Sequence, residues 1–201
     1  MRLSNSSLFS TVILAGALVS GVSALAQKTT YEIDPAHSAI TFGIKHMAIS
    51  TVHGRFAIKD GVIEMDPKNL ADSSVQATID VASVDTGVSA RDTDLKSPHF
   101  FDAEKYPTAT FRSTKVVAAG DGYDVIGDLN LHGVTKTVTL HLDPPSKEQM
   151  GPGKKPRRGF TATTTIRRQD FGLNWNGTLP SGDAMLGDDV KMEFDIEAAQ
   201  K

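Results

Sequence analysis

Apolar and polar residues alternate along most of this chain with a period of two. Over 40–48 the even positions are Ile40, Phe42, Ile44, His46 and Ala48, with mostly polar or small residues between them. Residues 74–81 put Val75, Ala77, Ile79 and Val81 on one face and Ser74, Gln76, Thr78 and Asp80 on the other. The same rhythm returns over 108–117, around Phe111, and over 123–131, where Tyr123, Val125, Leu129 and Leu131 share a face. It continues through Val134, Val138, Leu140 and Leu142, then Phe160, Ala162 and Ile166, and last Val190, Met192, Phe194 and Ile196. Strands with one buried face produce this pattern. Turn signals separate them: Gly120-Asp121-Gly122, His132-Gly133 and, inside 55–65, Lys59-Asp60-Gly61.

The pattern predicts an all-β protein of about eight strands joined by short turns. Such strands pair antiparallel, because parallel pairs need long crossovers. A barrel and a two-layer sandwich both fit the pattern. Two features favour the barrel. The first and last strands are long and amphipathic, so each is an exposed edge unless they pair. Small residues also recur on the buried face: Ala77, Ala109, Ser113, Gly127, Ala162 and Thr164. A sandwich core fills such positions. A barrel of eight strands keeps an interior just wide enough for one small ligand.

One stretch breaks the rhythm, "ARDTDLKSPHFFDAEKYP", residues 90–107. It predicts a short helix over Ser89–Lys96, with Ser89 as N-cap and acidic residues in its first turns. Pro98 stops it. Phe100 and Phe101 are adjacent, so a regular strand cannot bury both on one face. This segment is expected to line or close one end of a barrel cavity; the competing reading is that its phenylalanines simply plug the core.

The start of the chain has a different logic. A short polar segment with Arg2 leads into an apolar run over 8–22 and an Ala24-Leu25-Ala26 site. That is a secretory signal peptide, with cleavage expected after Ala26. The apolar run is short of the roughly 20 residues a membrane span needs. The mature domain, 27–201, is expected to be soluble and periplasmic. Formal charge is −3 and cleavage removes Arg2, so no basic face for nucleic acid is expected. The absence of cysteine excludes disulfides, thiol nucleophiles and zinc–thiolate sites. Residues 144–158, with four prolines and a Lys/Arg run, read as an exposed, mobile loop.

Catalytic motifs are absent: no G-x-S-x-G elbow, no H-E-x-x-H, no phosphate loop. The six histidines show no i, i+2 pair on one strand, so no metal site is expected. His46 is the imidazole expected inside the barrel. Arg91 and Asp92 are expected to fix the irregular segment by hydrogen bonds and ion pairs rather than act as acid and base.

Six pieces in order resemble the YceI-like family, also called polyisoprenoid-binding proteins. They are "YEIDPAHSAITFGIKH", "STVHGRF", "ARDTDLKSPHFFDAEKYPTATFRS", "GDLNLHGVTKTV", "RRQDFGL" and "LGDDVKMEFDIEA". Asp34, His37 and Ser38 match the opening motif, and Arg91, Asp92, Leu95, Phe100 and Phe101 the central one. Tyr106, Pro107 and Phe111 follow; His132 and Gly133 match the turn, and Arg168, Asp170, Phe171 and Gly172 the late motif. Ala48 stands where the family carries glycine. The resemblance implies a lipocalin-like antiparallel barrel in an exported protein. It implies no cofactor beyond a bound long apolar lipid: a polyisoprenoid, an isoprenoid quinone or a related amphiphile. Related barrels also suggest a homodimer, and a lipid cargo implies transient membrane contact.

The expected lining and mouth residues are Phe42, Ile44, His46, Phe56, Arg91, Leu95, Phe100, Phe101, Phe111, Arg168, Phe171 and Trp175. Lys45, Arg91 and Arg168 are candidates for an anionic head group. No catalytic residue is expected. Two rival functions compete with the carrier: a barrel-chambered isomerase or hydrolase using His46 or Asp92 as base, and an interaction module for a membrane or respiratory partner.

Overall fold

The alternating segments form one antiparallel sheet that closes on itself. The computed structural model describes residues 28–201; the expected leader, 1–26, lies outside them. The strands are β1 (Thr29–Ile33), β2 (Ala39–His46), β3 (Ser50–Met65), β4 (Ser74–Asp85) and β5 (Thr108–Ala119). They continue with β6 (Gly122–Leu131), β7 (Val134–Leu142), β8 (Gln149–Met150), β9 (Pro156–Arg167) and β10 (Leu186–Gln200). The α-helix α1 spans Ser89–Lys96, as the sequence predicts. Among the described residues no helix is long and apolar enough to cross a membrane.

The ring runs β10-β2-β3-β4-β5-β6-β7-β9 and closes through β9–β10. It is an eight-strand barrel although ten strands are present, for two local reasons. Strand β1 pairs with β10 and β3, the same neighbours as β2. The two are one wall position broken by the 3₁₀ turn Pro35–His37, whose Ala36 N–H donates to the Asp34 side chain. Strand β8 only extends the edge of β9. The pairing of the terminal strands removes the two edges that the sequence left exposed.

Lys59-Asp60-Gly61 is not a hairpin. Strand β3 runs straight through it, with register irregularities between Arg55/Ala57 and Ile58/Asp60. Gly61 is there for space: a Cβ would sit 2.5 Å from Ile33 Cδ1, which crosses from β1. The true β2–β3 turn is Met47-Ala48-Ile49. Met47 and Ala48 both take positive φ, 54° and 57°, in the left-handed region that favours glycine. At His132-Gly133 the expected hairpin does form, with φ of 53° and 76° suited to a tight turn between β6 and β7.

The loop over 144–158 is also not free. It carries β8 and a 3₁₀ turn, and its ends are tied to the barrel. Tyr31 Oη donates to Glu148 Oε2 at 2.9 Å, and Arg158 Nε donates to Tyr31 Oη at 3.2 Å. Tyr31 is buried and packs edge-on against Phe160, so this triad ties the loop to the barrel wall.

Buried apolar side chains form two clusters rather than one. The first gathers Ile40, Phe42, Phe56, Ile58, Ile79 and Val81 around β2–β4. The second gathers Phe111, Val125, Leu129, Leu140, Ala162 and Ile166 around β5–β9. Val190, Met192 and Phe194 of β10 touch both. The space between the two walls is where the barrel stays hollow.

Candidate ligand cavity

Two apolar cavities lie one above the other along the barrel axis. The upper one has a volume of about 300 Å³ and the lower about 120 Å³. The upper volume is at the small end of the range for ligand pockets, about 300–1,000 Å³. Ile40, Phe42, Ile44, His46, Val52 and Phe56 supply one side of the upper cavity; Leu129, Ile166, Val190 and Met192 contribute to the other.

The 90–107 segment roofs this cavity. After α1, backbone N–H groups of Phe101 and Ala103 fold back onto the carbonyls of Leu95 and Lys96 at 3.0 and 2.9 Å. Asp102 takes φ 46° to make that return. The two phenylalanines then part. Phe101 turns inward, edge-on to Phe56 at 5.4 Å, and Phe56 stacks on Phe42 at 5.3 Å. Phe100 lies at the rim, 5.1 Å from the Trp175 ring. Both line the cavity, as does Leu95.

The helix start departs from expectation. Ser89 is inside α1; Val88 holds the cap position without a side-chain hydrogen bond. Thr86 does the fixing instead. Its N–H and Oγ1 donate to Asp92 Oδ1 at 2.9 and 2.5 Å. Arg91 Nε donates to Thr86 Oγ1 at 2.7 Å and Nη2 to the Thr86 carbonyl at 3.0 Å. Arg91 and Asp92 therefore lock the roof to the end of β4. Arg91 and Asp94 also line the cavity, with Nη1 of Arg91 outside this network.

Arg168 lines the upper cavity and also braces its rim. Only 4% exposed, it donates from Nε to the Gly187 carbonyl at 2.9 Å and from Nη1 to the Leu173 and Trp175 carbonyls at 2.5 and 2.7 Å. Burial lowers its pKa from the ordinary guanidinium value, and Asp188 partly opposes that. It pins residues 173–187, which carry Trp175, Met185 and Leu186 to the cavity. Lys45 is exposed on the outer face of β2, away from the lining.

Phe111 belongs to the lower cavity, not the upper. Phe171 lines neither; it is buried in the second cluster, with its carbonyl 3.2 Å from His132 Nδ1. The 3₁₀ turn Arg168–Phe171 carries it away from β9 and from the barrel axis.

The small residues split in the same way. Ala109 faces the upper cavity, and Ala77 and Ala162 the lower. Gly127 makes no space: Phe111 Cζ lies 2.5 Å from where its Cβ would be. Ser113 Oγ accepts from the Val75 N–H, and Thr164 Oγ1 donates to the Thr139 carbonyl, so both serve the wall.

A polar cluster that sequence spacing does not reveal sits where β1, β9 and β10 meet. Ligand-type atoms of Asp34, His37 and Glu197 lie within 4.8 Å of one another. Arg157 Nη1 donates to Asp34 Oδ2 at 2.7 Å and to Glu197, and His37 Nδ1 is 2.9 Å from Asp34. The guanidinium makes this an ion-pair network. Arg157, then His37, lower the Asp34 pKa to about 2. Residue types widely separated in the chain meet only because β1 and β9 flank β10.

Known proteins share this architecture. BcnA of Burkholderia cenocepacia is 29% identical with a TM-score of 0.68, over 82% of this chain and 98% of that one. A YceI protein of Campylobacter jejuni is 32% identical with a TM-score of 0.64, over 78% and 90%. A domain of Saccharophagus degradans described as polyisoprenoid-binding and implicated in plant cell wall breakdown has a TM-score of 0.58 at 18% identity, over 87% and 100%, a likeness of fold alone. By sequence, a UPF0312 protein of Vibrio parahaemolyticus is 40% identical over 97% of this chain and 98% of its own length. Residues 31–198 match the YceI-like domain, and the chain belongs to that family.

Proposed function

We propose that this protein is an exported, periplasmic carrier or store for a long-chain apolar lipid, held in the barrel without chemical turnover. The lipid is a polyisoprenoid, an isoprenoid quinone or a similar amphiphile. The observation that carries the reading is the pair of apolar cavities, the upper one lined by only a few polar groups, His46, Thr86, Arg91, Asp94 and Arg168. Tail burial gains about 0.8 kcal/mol per methylene, so affinity needs no strong polar contact. Association and ordering costs keep it reversible. Those polar groups then select the head. The polyisoprenoid-binding description of the Saccharophagus degradans domain agrees with this class of ligand.

The rim supports delivery at a membrane. Ile49 is 80% exposed at the tip of the strained β2–β3 turn, and Val88 and Trp175 are exposed beside the upper cavity. An apolar rim around a lipid-sized opening fits brief contact with a bilayer surface. Trp175 is the chain's single tryptophan and lines the cavity, which makes it a built-in reporter. Titration with an isoprenoid quinone should quench its emission saturably, and Ala109→Phe, which fills the upper cavity, should abolish this. A quench that never saturates, or one indifferent to Ala109→Phe, would overturn the reading.

A further inference from the structure

The hollow of the barrel is divided. Ile40 and Ile79 line both the upper and the lower cavity. Around the rest of the ring the lining changes between neighbouring inward positions: Met192 faces the upper cavity and Phe194 the lower, Leu129 the upper and Phe111 the lower. These residues form a waist. Ile40 is 1% exposed and Ile79 is 6% exposed, and both are packed into the first cluster, so that side of the waist is fixed by the core. Met192, on β10 beside the strand of Ile40, is unbranched and flexible, the side chain best able to yield as a tail passes. Below the waist the cavity is lined by Ala77 and Ala162, small enough to leave room, and Leu70, Pro145 and Phe160 are among its other walls.

From this geometry, and resting on the carrier reading, we infer that the barrel selects its ligand by tail length, with the lower cavity as a distinct subsite for the tail terminus. Short tails fill the upper cavity alone. Tails long enough to pass the Ile40–Ile79 waist gain the lower cavity as well. Each methylene removed from water is worth about fourfold in affinity, since about 0.8 kcal/mol corresponds to that ratio. The lower volume of about 120 Å³ therefore separates long from short tails by well over tenfold.

The test is competition by a homologous series of prenyl alcohols against a fixed fluorescent fatty acid, on the folded mature protein. Ala162→Met fills the lower cavity and leaves the upper lining untouched. It should cut affinity for the longest alcohols more than tenfold and leave the shortest unchanged. Ala77→Met makes the same change from the opposite wall and serves where Ala162→Met does not fold. Ile79→Ala, which opens the waist, should shift the preference toward longer or bulkier tails. Equal losses for short and long alcohols, or no loss for either in the folded fill-in variants, would overturn the inference while leaving the carrier intact. Failure of the wild-type protein to bind any member of the series would overturn both.

Discussion

Replacing Arg168 separates a structural pin from a ligand contact. The side chain satisfies three carbonyls, those of Leu173, Trp175 and Gly187, and is 4% exposed. Arg168→Ala removes every donor at once. A buried carbonyl left without a partner costs about 1–3 kcal/mol. Water reaches part of the 173–187 segment once it loosens, so the total should be about 3–5 kcal/mol, a large share of a domain's typical 5–15. Arg168→Lys keeps the charge but not the fork, and one ammonium cannot span carbonyls that the guanidinium meets from both Nε and Nη1. It should recover less than half of the loss. Urea unfolding followed by Trp175 emission and by far-ultraviolet circular dichroism measures both. The binding arm is equally direct: a pin predicts that Arg168→Lys weakens neutral quinones and anionic polyprenyl phosphates alike, because the Trp175 wall moves. A stability loss under about 1 kcal/mol for Arg168→Ala, or a defect confined to anionic lipids, would refute the reasoning.

Three further outcomes follow from other parts of the fold. Ala48 at φ 57° carries the strain of a left-handed residue, so Ala48→Gly should raise stability by about 0.5–1 kcal/mol, the steric relief less the added unfolded-chain entropy; an unchanged or lower urea midpoint would contradict this. Asp34, held at about 2 against an unfolded value of 3.8, contributes stability present above the unfolded value and lost as pH falls through the folded one. The shift corresponds to roughly 2.5 kcal/mol before screening and on the order of 1 after it; Asp34→Asn should remove that contribution at neutral pH and flatten the acid limb of the stability profile between about pH 4 and 2, and an acid limb identical to wild type would count against the network. Ile49→Asp should reduce sedimentation with phosphatidylethanolamine–phosphatidylglycerol vesicles while leaving quinone binding in detergent-free buffer intact; equal vesicle binding by both proteins would remove the rim from the account.

Much of the barrel was legible because strand periodicity is a local signal. Inward positions such as Phe42, Ile79, Val125 and Phe194 follow directly from parity, and the break at residues 90–107 marked α1 and the roof. What escaped was decided by packing between distant segments. Gly61 looked like a turn glycine; it is a strand glycine making room for Ile33, which no local window contains. The loop over 144–158 looked mobile by composition, yet Tyr31, more than a hundred residues away in the chain, pins it through Glu148 and Arg158. At the candidate site, parity placed Ile44 and His46 in the upper lining but could not divide the hollow into two levels, so Phe111 was expected beside Phe42. Phe171 and Arg168 sit in a short 3₁₀ turn with no period to read; Phe171 became core, while Arg168 lines the upper cavity and also braces the 173–187 loop. Thr86 carried no sequence signal at all, and its bonds to Arg91 and Asp92 hold the roof in place.

The central claim is that the barrel carries an intact apolar lipid. Native mass spectrometry of the protein purified from its own cells, followed by solvent extraction, tests it most directly. The account expects a single adduct of isoprenoid mass that is recovered chemically unchanged. Protein that arrives bare, and stays bare after incubation with quinones, polyprenyl phosphates and fatty amides, would contradict it.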